Sequence, residues 1–247
     1  MNDNERPLKI EDKENIYHGK IFLITGAASG IGKGIAEAAI QRSAEVIGLD
    51  KNVVQVSGLR ATHEVNITSR ENLEQISRAI ERSNKKIDFL FLSAGIIQSQ
   101  PGAISEGEKT NIHNVNAQGT ISSFETFKPL LKDGATVVFL SSDLINDPNT
   151  SVPVYAESKR KIAEFAQRQA EALGNIRIIT LFPGPVDTPL FRHGKNEETL
   201  RRINTAVGIM TPEEFASELL DNILPNPIDY LSGSKIRMYK GKTETVS

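Results

Sequence analysis

Residues 20–34 read KIFLITGAASGIGKG, an apolar run that leads into a turn rich in glycine. The apolar residues 21–24 predict a buried parallel strand, and a helix is expected to begin near Gly30. Glycines let a backbone turn tightly and approach a pyrophosphate, while the amides and the dipole of a helix N-terminus attract the anion. The stretch therefore predicts a phosphate-binding turn, although a tight strand-to-helix connection has the same pattern.

Composition narrows the classes of function. The chain has 247 residues, of which 38% are hydrophobic and 24% charged, as in an ordinary globular protein. A formal net charge of -2 gives no electrostatic reason to bind nucleic acid or a membrane surface. Cysteine is absent, and the four histidines are scattered, so no metal site is predicted. No stretch has the apolar core of a signal peptide or the length of a membrane span, and a cytoplasmic protein is expected.

Strand-like and helix-like patterns alternate along the chain. The pattern predicts one α/β domain, a doubly wound parallel sheet of about seven strands with helices on both faces. After the first strand, further strands are expected at residues 44–49, 63–66, 87–92, 135–140, 176–181 and 228–231. Residues 1–18 are polar and are expected to form a surface extension, whereas residues 19–247 are expected to form the domain.

Local signals refine the helices. Thr68 is the expected N-cap of the helix after the third strand, with Glu71 completing a capping box. A long helical pattern covers residues 106–132, with Asn116 in its interior. Asparagine is a poor residue there because its side chain competes for backbone bonds, so it is either exposed or marks a kink that directs a polar group into a site. The buried face of the helix after the third strand is expected to hold Leu73, Ile76, Ala79 and Ile80.

Asp50 ends the second predicted strand, about twenty residues after the glycine turn. A carboxylate at that distance can accept both hydroxyls of an adenosine ribose and would repel a 2′-phosphate. Residues 27–29 carry no positive charge for such a phosphate, and together these features favour NAD over NADP. Lys51 keeps the NADP alternative open because a cation beside the acid could meet a phosphate.

Five motifs in order resemble the short-chain dehydrogenase/reductase family over roughly residues 20–241. The turn at residues 25–32 matches TGxxxGxG, and Tyr155 with Lys159 matches YxxxK. Ser142 lies thirteen residues before the tyrosine, which is the family's usual spacing for its serine. Asn116 matches the family's helix asparagine, and residues 183–188 match PG-xxx-T. The resemblance implies a Rossmann fold, a nicotinamide cofactor and hydride transfer between that cofactor and an alcohol or ketone.

The resemblance also implies roles for individual residues. The catalytic residues would be Asn116, Ser142, Tyr155 and Lys159. The cofactor contacts would be Gly26, Ser29, Gly30, Ile31, Gly32, Asp50, Asn66, Ile67, Ala94, Gly95, Tyr155, Lys159, Pro183, Gly184, Val186 and Thr188. The substrate contacts would be Ser142, Leu144, Tyr155, Pro185 and Leu190.

Tyr155 would be the acid/base of this chemistry. A tyrosine has a pKa of about 10, and a nearby Lys159 would stabilise the phenolate. Ser142 would donate a hydrogen bond to the substrate oxygen, and Asn116 would position a water that links Lys159 to solvent. Two positions depart from the family pattern: Ser93 replaces an asparagine, and Asn66 replaces an aspartate near the adenine.

The expected function is an NAD-dependent oxidoreductase that acts on a small alcohol or carbonyl compound. The alternatives are an NADP-dependent carbonyl reductase and a non-enzymatic cofactor-binding regulator with the same fold. The family commonly forms homotetramers or homodimers, and the same is expected here. Arg192, His193 and Lys195 could bind an acidic substrate group, but a solvated loop face is the more common use of such residues.

Overall fold

The computed structural model describes residues 16–246, in which strands and helices alternate. The strands are β1 (Ile21–Thr25), β2 (Glu45–Asp50), β3 (Ala61–Glu64), β4 (Ile87–Leu92), β5 (Leu131–Leu140), β6 (Arg177–Pro183), β7 (Lys235–Tyr239) and β8 (Lys242–Val246). They form one sheet in the order β3-β2-β1-β4-β5-β6-β7-β8. All neighbours are parallel except β7 and β8, which form an antiparallel pair. The prediction of a doubly wound parallel sheet is confirmed, with eight strands rather than about seven.

The helices cover both faces of the sheet. They are α1 (Gly30–Gln41), α2 (Arg70–Arg82), α3 (Glu106–Ile112), α4 (Thr120–Phe127), α5 (Pro153–Ala172), α6 (Pro189–Arg192), α7 (Glu197–Val207) and α8 (Pro212–Glu218). The first core joins one face of the strands to α1 and α8, and the second joins the other face to α2, α4 and α5. Phe22 and Ile24 of β1 belong to the first core and Leu23 to the second. Successive side chains of a strand point to opposite faces, which is why a continuously apolar strand serves two cores.

The C-terminal end of the chain differs from the prediction. Residues 228–231 form turns rather than a strand, and Ile228 is 83% exposed. Pro225 and Pro227 precede this segment and lack the amide hydrogen that a sheet ladder needs. The last two strands lie instead in the stretch that sequence reasoning treats as a basic tail. In β7, Ile236 and Met238 alternate with polar residues and are completely buried.

Helix boundaries also differ locally. Ser69, not Thr68, is the N-cap of α2, because its hydroxyl accepts the Asn72 amide while the Thr68 hydroxyl donates to Asn66. Glu71 therefore closes no capping box with Thr68. Leu73, Ile76 and Ile80 are buried as predicted, whereas Ala79 is exposed.

The long helix predicted over residues 106–132 is divided into several pieces. A π-helical segment (His113–Gly119) separates α3 from α4, and a short 3₁₀ turn (Lys128–Leu130) ends the helical run. Pro129 occupies that turn, and Leu131 already pairs with β4, so β5 begins four residues before the predicted strand. At the other side of the sheet, β3 begins two residues before its predicted start.

Residues 1–15 of the predicted extension lie outside the described residues, so its boundary stays a prediction. Tyr17, which the prediction places in that extension, is completely buried. Its hydroxyl donates to the Leu220 carbonyl at 2.5 Å, and its ring packs edge-on against Phe22 and Phe89. Tyr17 therefore belongs to the core, whereas His18 and Gly19, which follow it before β1, are exposed.

Candidate active site

A cavity of about 830 Å³ opens at the carboxyl ends of the parallel strands. Every residue predicted to contact cofactor or substrate lines this cavity. Three of the four predicted catalytic residues, Ser142, Tyr155 and Lys159, line it as well, whereas Asn116 is completely buried behind it. Ligands of doubly wound sheets bind at this edge, so the fold brings the predicted residues together where a ligand is expected.

The turn between β1 and α1 closes so tightly that side chains are excluded at two positions. Gly26 has a φ of 75°, and a Cβ there would lie 2.8 Å from the Ala94 Cα. A Cβ on Gly32 would lie 2.2 Å from the carbonyl oxygen of Gly26. These glycines are therefore required by the packing of the turn itself, in addition to any approach of a phosphate.

The first turn of α1 offers backbone donors to the cavity. Ser29 is the N-cap in an extended conformation, and its side chain caps none of the helix amides. The first turn contains no acidic residue that would compete for them, and residues 29–32 all line the cavity. The amides at a helix N-terminus have no partner within the helix. An anionic group such as a pyrophosphate fits this donor set.

Asp50 is fixed at the neighbouring edge of the cavity. One carboxylate oxygen accepts the Ala28 amide at 3.1 Å, and the other accepts the Asn52 amide at 2.9 Å. Each oxygen retains a further lone pair, so the carboxylate can still accept from a ligand hydroxyl. Lys51 also lines the cavity and is exposed.

The two departures from the family pattern are accommodated differently. Ser93 donates to the Thr25 carbonyl, and the Thr25 hydroxyl accepts the amides of Ser93 and Ala94 at 3.2 and 3.3 Å, so the turn after β4 is well connected. The Asn66 carbonyl oxygen accepts both the amide and the hydroxyl of Thr68, at 3.0 and 2.9 Å. Those two bonds occupy the oxygen that would otherwise meet an adenine amino group.

Asn116 lies in the π-helical segment, which is the kink that its sequence position indicates. Its carbonyl oxygen accepts the Ile96 amide at 2.8 Å, and its amide nitrogen donates to the Ile96 carbonyl and to Ser158, both at 2.9 Å. The side chain thus ties the loop after β4 to α5 and has no further donor for a water. Its role in a proton relay stays a prediction.

Tyr155 and Lys159 are one turn apart on α5, which begins at Pro153. The Lys159 ammonium lies 5.8 Å from the centroid of the Tyr155 ring, and the Tyr155 hydroxyl shares a hydrogen bond with Ser142. Lys159 is only 3% exposed and donates to the Leu140 carbonyl at 2.9 Å. The three predicted catalytic side chains at the cavity wall therefore form one cluster.

Burial controls the protonation of this cluster. It raises the pKa of Tyr155 to about 12, and the hydrogen bond from Ser142 opposes that rise. It lowers the pKa of Lys159 to about 8. A medium of low polarity disfavours both charged forms, and in this ligand-free arrangement burial outweighs the stabilisation of the phenolate that the resemblance implies.

A second polar cluster lies beside the serine and was not predicted. Asp143 follows Ser142 directly, accepts a hydrogen bond from the Tyr239 hydroxyl and pairs with the Arg237 guanidinium at 2.6 Å. The Tyr239 ring also occupies the space above Gly184, where a Cβ would lie 2.4 Å from it. Burial and Asp143 raise the pKa of Tyr239. Only the alternation of β7 could have indicated this contact, because its partners are far apart in sequence.

The substrate end of the cavity is mainly apolar. Of the three basic residues noted in the sequence, only Lys195 lines the cavity. Arg192 instead pairs with Asp187 and Glu197, and His193 contacts the Ser99 carbonyl. The apolar residues that line the cavity here include the predicted substrate contacts Leu144, Pro185 and Leu190, together with Ile97, Val152, Phe191, Ile203 and Val207. The contribution of α7 to this lining was not predicted.

Two other kinds of site are absent from residues 16–246. No group of three or more histidine or acidic side chains there could hold a metal ion. No helix in the same part of the chain is long and apolar enough to span a bilayer.

The sequence pattern of the short chain dehydrogenase family matches residues 20–199. The chain belongs to this family. A family relative, the 3-oxoacyl-[acyl-carrier-protein] reductase FabG of Thermotoga maritima, is 29% identical over 220 residues, which cover 82% of this chain and 89% of that protein. The dehydrogenase family therefore accounts for the glycine turn and the tyrosine–lysine pair together.

Solved structures share the fold of this chain. A 3-ketoacyl-(acyl-carrier-protein) reductase from Brucella melitensis, complexed with NADH, has a TM-score of 0.77 at 21% identity and covers 90% of this chain and 97% of its own. A protein from Beutenbergia cavernae with bound NADP has a TM-score of 0.79 at 20% identity, with 91% and 96% covered. The two structures share the fold of this chain and differ in the nicotinamide cofactor that they hold.

Proposed function

We propose that this protein transfers a hydride between NAD and a secondary alcohol or ketone, with Tyr155 as the acid/base. The observation that carries the proposal is the cluster of Ser142, Tyr155 and Lys159 in the wall of one cavity, which also holds the glycine turn and Asp50. A binding protein would need the turn and the acid, but it would not need a buried phenol against a serine hydroxyl.

Different residues of the cavity would bind different parts of the cofactor. The first-turn amides of α1 would bind its pyrophosphate, Asp50 its adenosine ribose, and Lys159 its nicotinamide ribose. When bound, NAD supplies the hydride acceptor for alcohol oxidation and NADH supplies the donor for ketone reduction. Gly184 and Thr188, which line the same cavity, would border the nicotinamide ring.

Proton transfer is the part of the reaction that the chain performs. In alcohol oxidation, Tyr155 takes the hydroxyl proton of the substrate, and Ser142 donates a hydrogen bond to the same oxygen. Burial raises the pKa of Tyr155, so the rate of oxidation should increase with pH as the phenol loses its proton. Ketone reduction needs the protonated phenol and should not show this rise.

Asp50 supports the preference for NAD. Two backbone amides hold its carboxylate at the cavity edge, so it cannot easily turn away from a 2′-phosphate. Repulsion between two anions at close range in a partly buried site opposes NADP binding. Tighter binding of NADPH than NADH, measured by quenching of cofactor fluorescence, would contradict this preference.

The decisive experiment compares the parent protein with Tyr155→Phe on a panel of sugars, sterols, hydroxy acids and cyclic diols, by NADH absorbance. We expect turnover of at least one class and a loss of about 10²-fold or more in Tyr155→Phe, because general acid–base catalysis contributes that much. Tyr230→Phe is the matched control, since Tyr230 does not line the cavity. Unchanged turnover in Tyr155→Phe would refute the mechanism, and cofactor binding without turnover would favour a regulator.

A further inference from the structure

We infer that Lys195 binds a carboxylate of the substrate, so that the substrate class is a secondary hydroxy acid or the matching oxo acid with an apolar body. The inference rests on the proposed function and specifies its substrate. It starts from the charges that line the cavity, since three lysines and three aspartates face it.

Two of the three lysines are already used at other places. Lys51 is exposed next to Asp50 at the predicted adenosine end, and Lys159 belongs to the catalytic cluster, where it donates to Leu140. Lys195 is half-buried, and within residues 16–246 it takes part in no ion pair. It is therefore the cation that remains for a ligand at the substrate end.

The acidic side chains of the cavity do not neutralise Lys195. Asp50 is held by the amides of Ala28 and Asn52, and Asp143 is paired with Arg237. Asp147 is exposed and accepts the Asn149 amide at 2.9 Å, which closes its own turn. None of these carboxylates forms a salt bridge with Lys195 among the described residues.

The backbone places the ammonium at the end of α6. Gly194 has a φ of 70°, which reverses the chain, and the Lys195 ammonium donates to the Phe191 carbonyl at 2.6 Å and lies 4.7 Å from the Phe191 ring centroid. An ammonium has three donors, so two remain after this cap. Burial lowers the pKa of Lys195, as expected for a cation that lacks an anion.

The surroundings favour a single carboxylate on an apolar molecule. Leu190, Phe191, Ile203 and Val207 line the cavity together with Lys195, and a charge-assisted hydrogen bond is stronger beside apolar side chains than in water. A dianionic phosphate calls for more positive charge than one ammonium provides. A carboxylate matches the one cation and its two remaining donors.

The test uses secondary hydroxy acids whose carboxylate lies one to four carbons from the carbinol carbon. Each acid is compared with the primary amide of the same compound. For the parent protein we expect kcat/KM to be about 10-fold to 100-fold higher for at least one acid than for its amide, as for a hydrogen bond between charged groups. Lys195→Gln should remove this preference, and Lys195→Arg should retain it. Arg192→Gln is the local control, and it should also retain the preference because Arg192 does not line the cavity.

Each other outcome overturns the inference. If Lys195→Gln lowers kcat/KM equally for acid and amide, Lys195 serves only as the cap of α6. If neutral alcohols react and no acid is preferred over its amide, the carboxylate site is refuted while the proposed hydride transfer stands. If no compound of the panel shows turnover that depends on Tyr155, both proposals fail together.

Discussion

The two ends of the cavity are built in different ways. At the cofactor end, Gly26 and Gly32 of the turn pack against backbone atoms, and the Ala28 amide of the same turn binds Asp50. At the substrate end, Asp143 is held by Tyr239, which lies 96 residues later in the chain, and both contacts of that aspartate are made by side chains. One end is a local motif, and the other is assembled from distant strands.

This difference bears on how each end tolerates change. A backbone contact leaves no room for any side chain, so substitution there disturbs the fold itself. A side-chain contact can be replaced by another of similar size, so the substrate end can vary while the fold persists. We therefore expect the effects of mutation to decrease from the glycine turn to the β7 contact.

The largest effect is expected for Gly32→Ala. The added methyl group would meet the Gly26 carbonyl at 2.2 Å, a clash that only a backbone shift can relieve. We expect a loss of more than about 3 kcal/mol in the free energy of unfolding, within the range of the most severe single substitutions. Urea denaturation followed by circular dichroism measures this loss.

Gly107→Ala provides the matched control for that prediction. Gly107 lies in α3 and has open space around an added Cβ. Alanine favours a helix by up to about 1 kcal/mol over glycine, so this variant should be as stable as the parent or slightly more stable. Equal stability of Gly32→Ala and Gly107→Ala would show that the glycine turn is not held by its backbone contacts.

An intermediate effect on stability is expected for a substitution of Lys159, which belongs to the catalytic cluster in the cavity wall. Its pKa of about 8 in the folded protein lies below the usual 10.5, so the unfolded chain binds more protons between these two pH values. Stability therefore rises with pH through that interval, and the cost of burying the charged amine is fully present below pH 8. Lys159→Met removes that cost. We expect it to raise the free energy of unfolding by about 2 kcal/mol at pH 6 and by little at pH 10.

Unfolding in urea at pH 6, 8 and 10, without cofactor, checks this prediction. Lys161→Met is the control on the same helix, because Lys161 is largely exposed and pairs with Glu157 at the surface. Its stability should change by less than about 1 kcal/mol at each pH. A stability difference for Lys159→Met that is independent of pH would mean that Lys159 is not buried as a charged amine.

The smallest effect is expected for Tyr239→Phe. This substitution removes the hydrogen bond that the Tyr239 hydroxyl donates to Asp143, while the ion pair between Asp143 and Arg237 at 2.6 Å remains. A loss of about 1 kcal/mol in stability is expected for such a bond, with a several-fold fall in kcat because the turn after Ser142 is held less firmly. Cofactor affinity should not change, since the glycine turn lies elsewhere. A weaker affinity for NADH in this variant would show that the two ends are coupled.

Much of the fold was predictable from local sequence. Strands β1, β2, β4 and β6 are apolar runs that end in turn residues. One error arose where neighbouring residues compete. Thr68 and Ser69 are both good caps, and the side chain of Asn66 decides between them by binding Thr68.

The candidate site was predictable to the extent that its residues lie in spaced motifs. The glycine turn, Asp50, Ser142, Tyr155 and Lys159 were identified from spacing and family resemblance, and the cavity contains all of them. The Tyr239–Asp143 contact and the cavity-lining face of α7 were missed, because neither has a periodic or spaced signal that links it to the serine.

The sequence alone determined most of the order of strands and helices, the family and the residues proposed to carry its chemistry. These features depend on hydrophobic period, turn residues and short spacing, all of which act within about twenty residues. Tertiary structure alone decided that Tyr17 is in the core, that β7 and β8 complete the sheet, and that Lys195 faces the cavity without a counter-ion among the described residues. Burial and charge pairing depend on which distant segments meet, and that is settled only when the sheet is assembled.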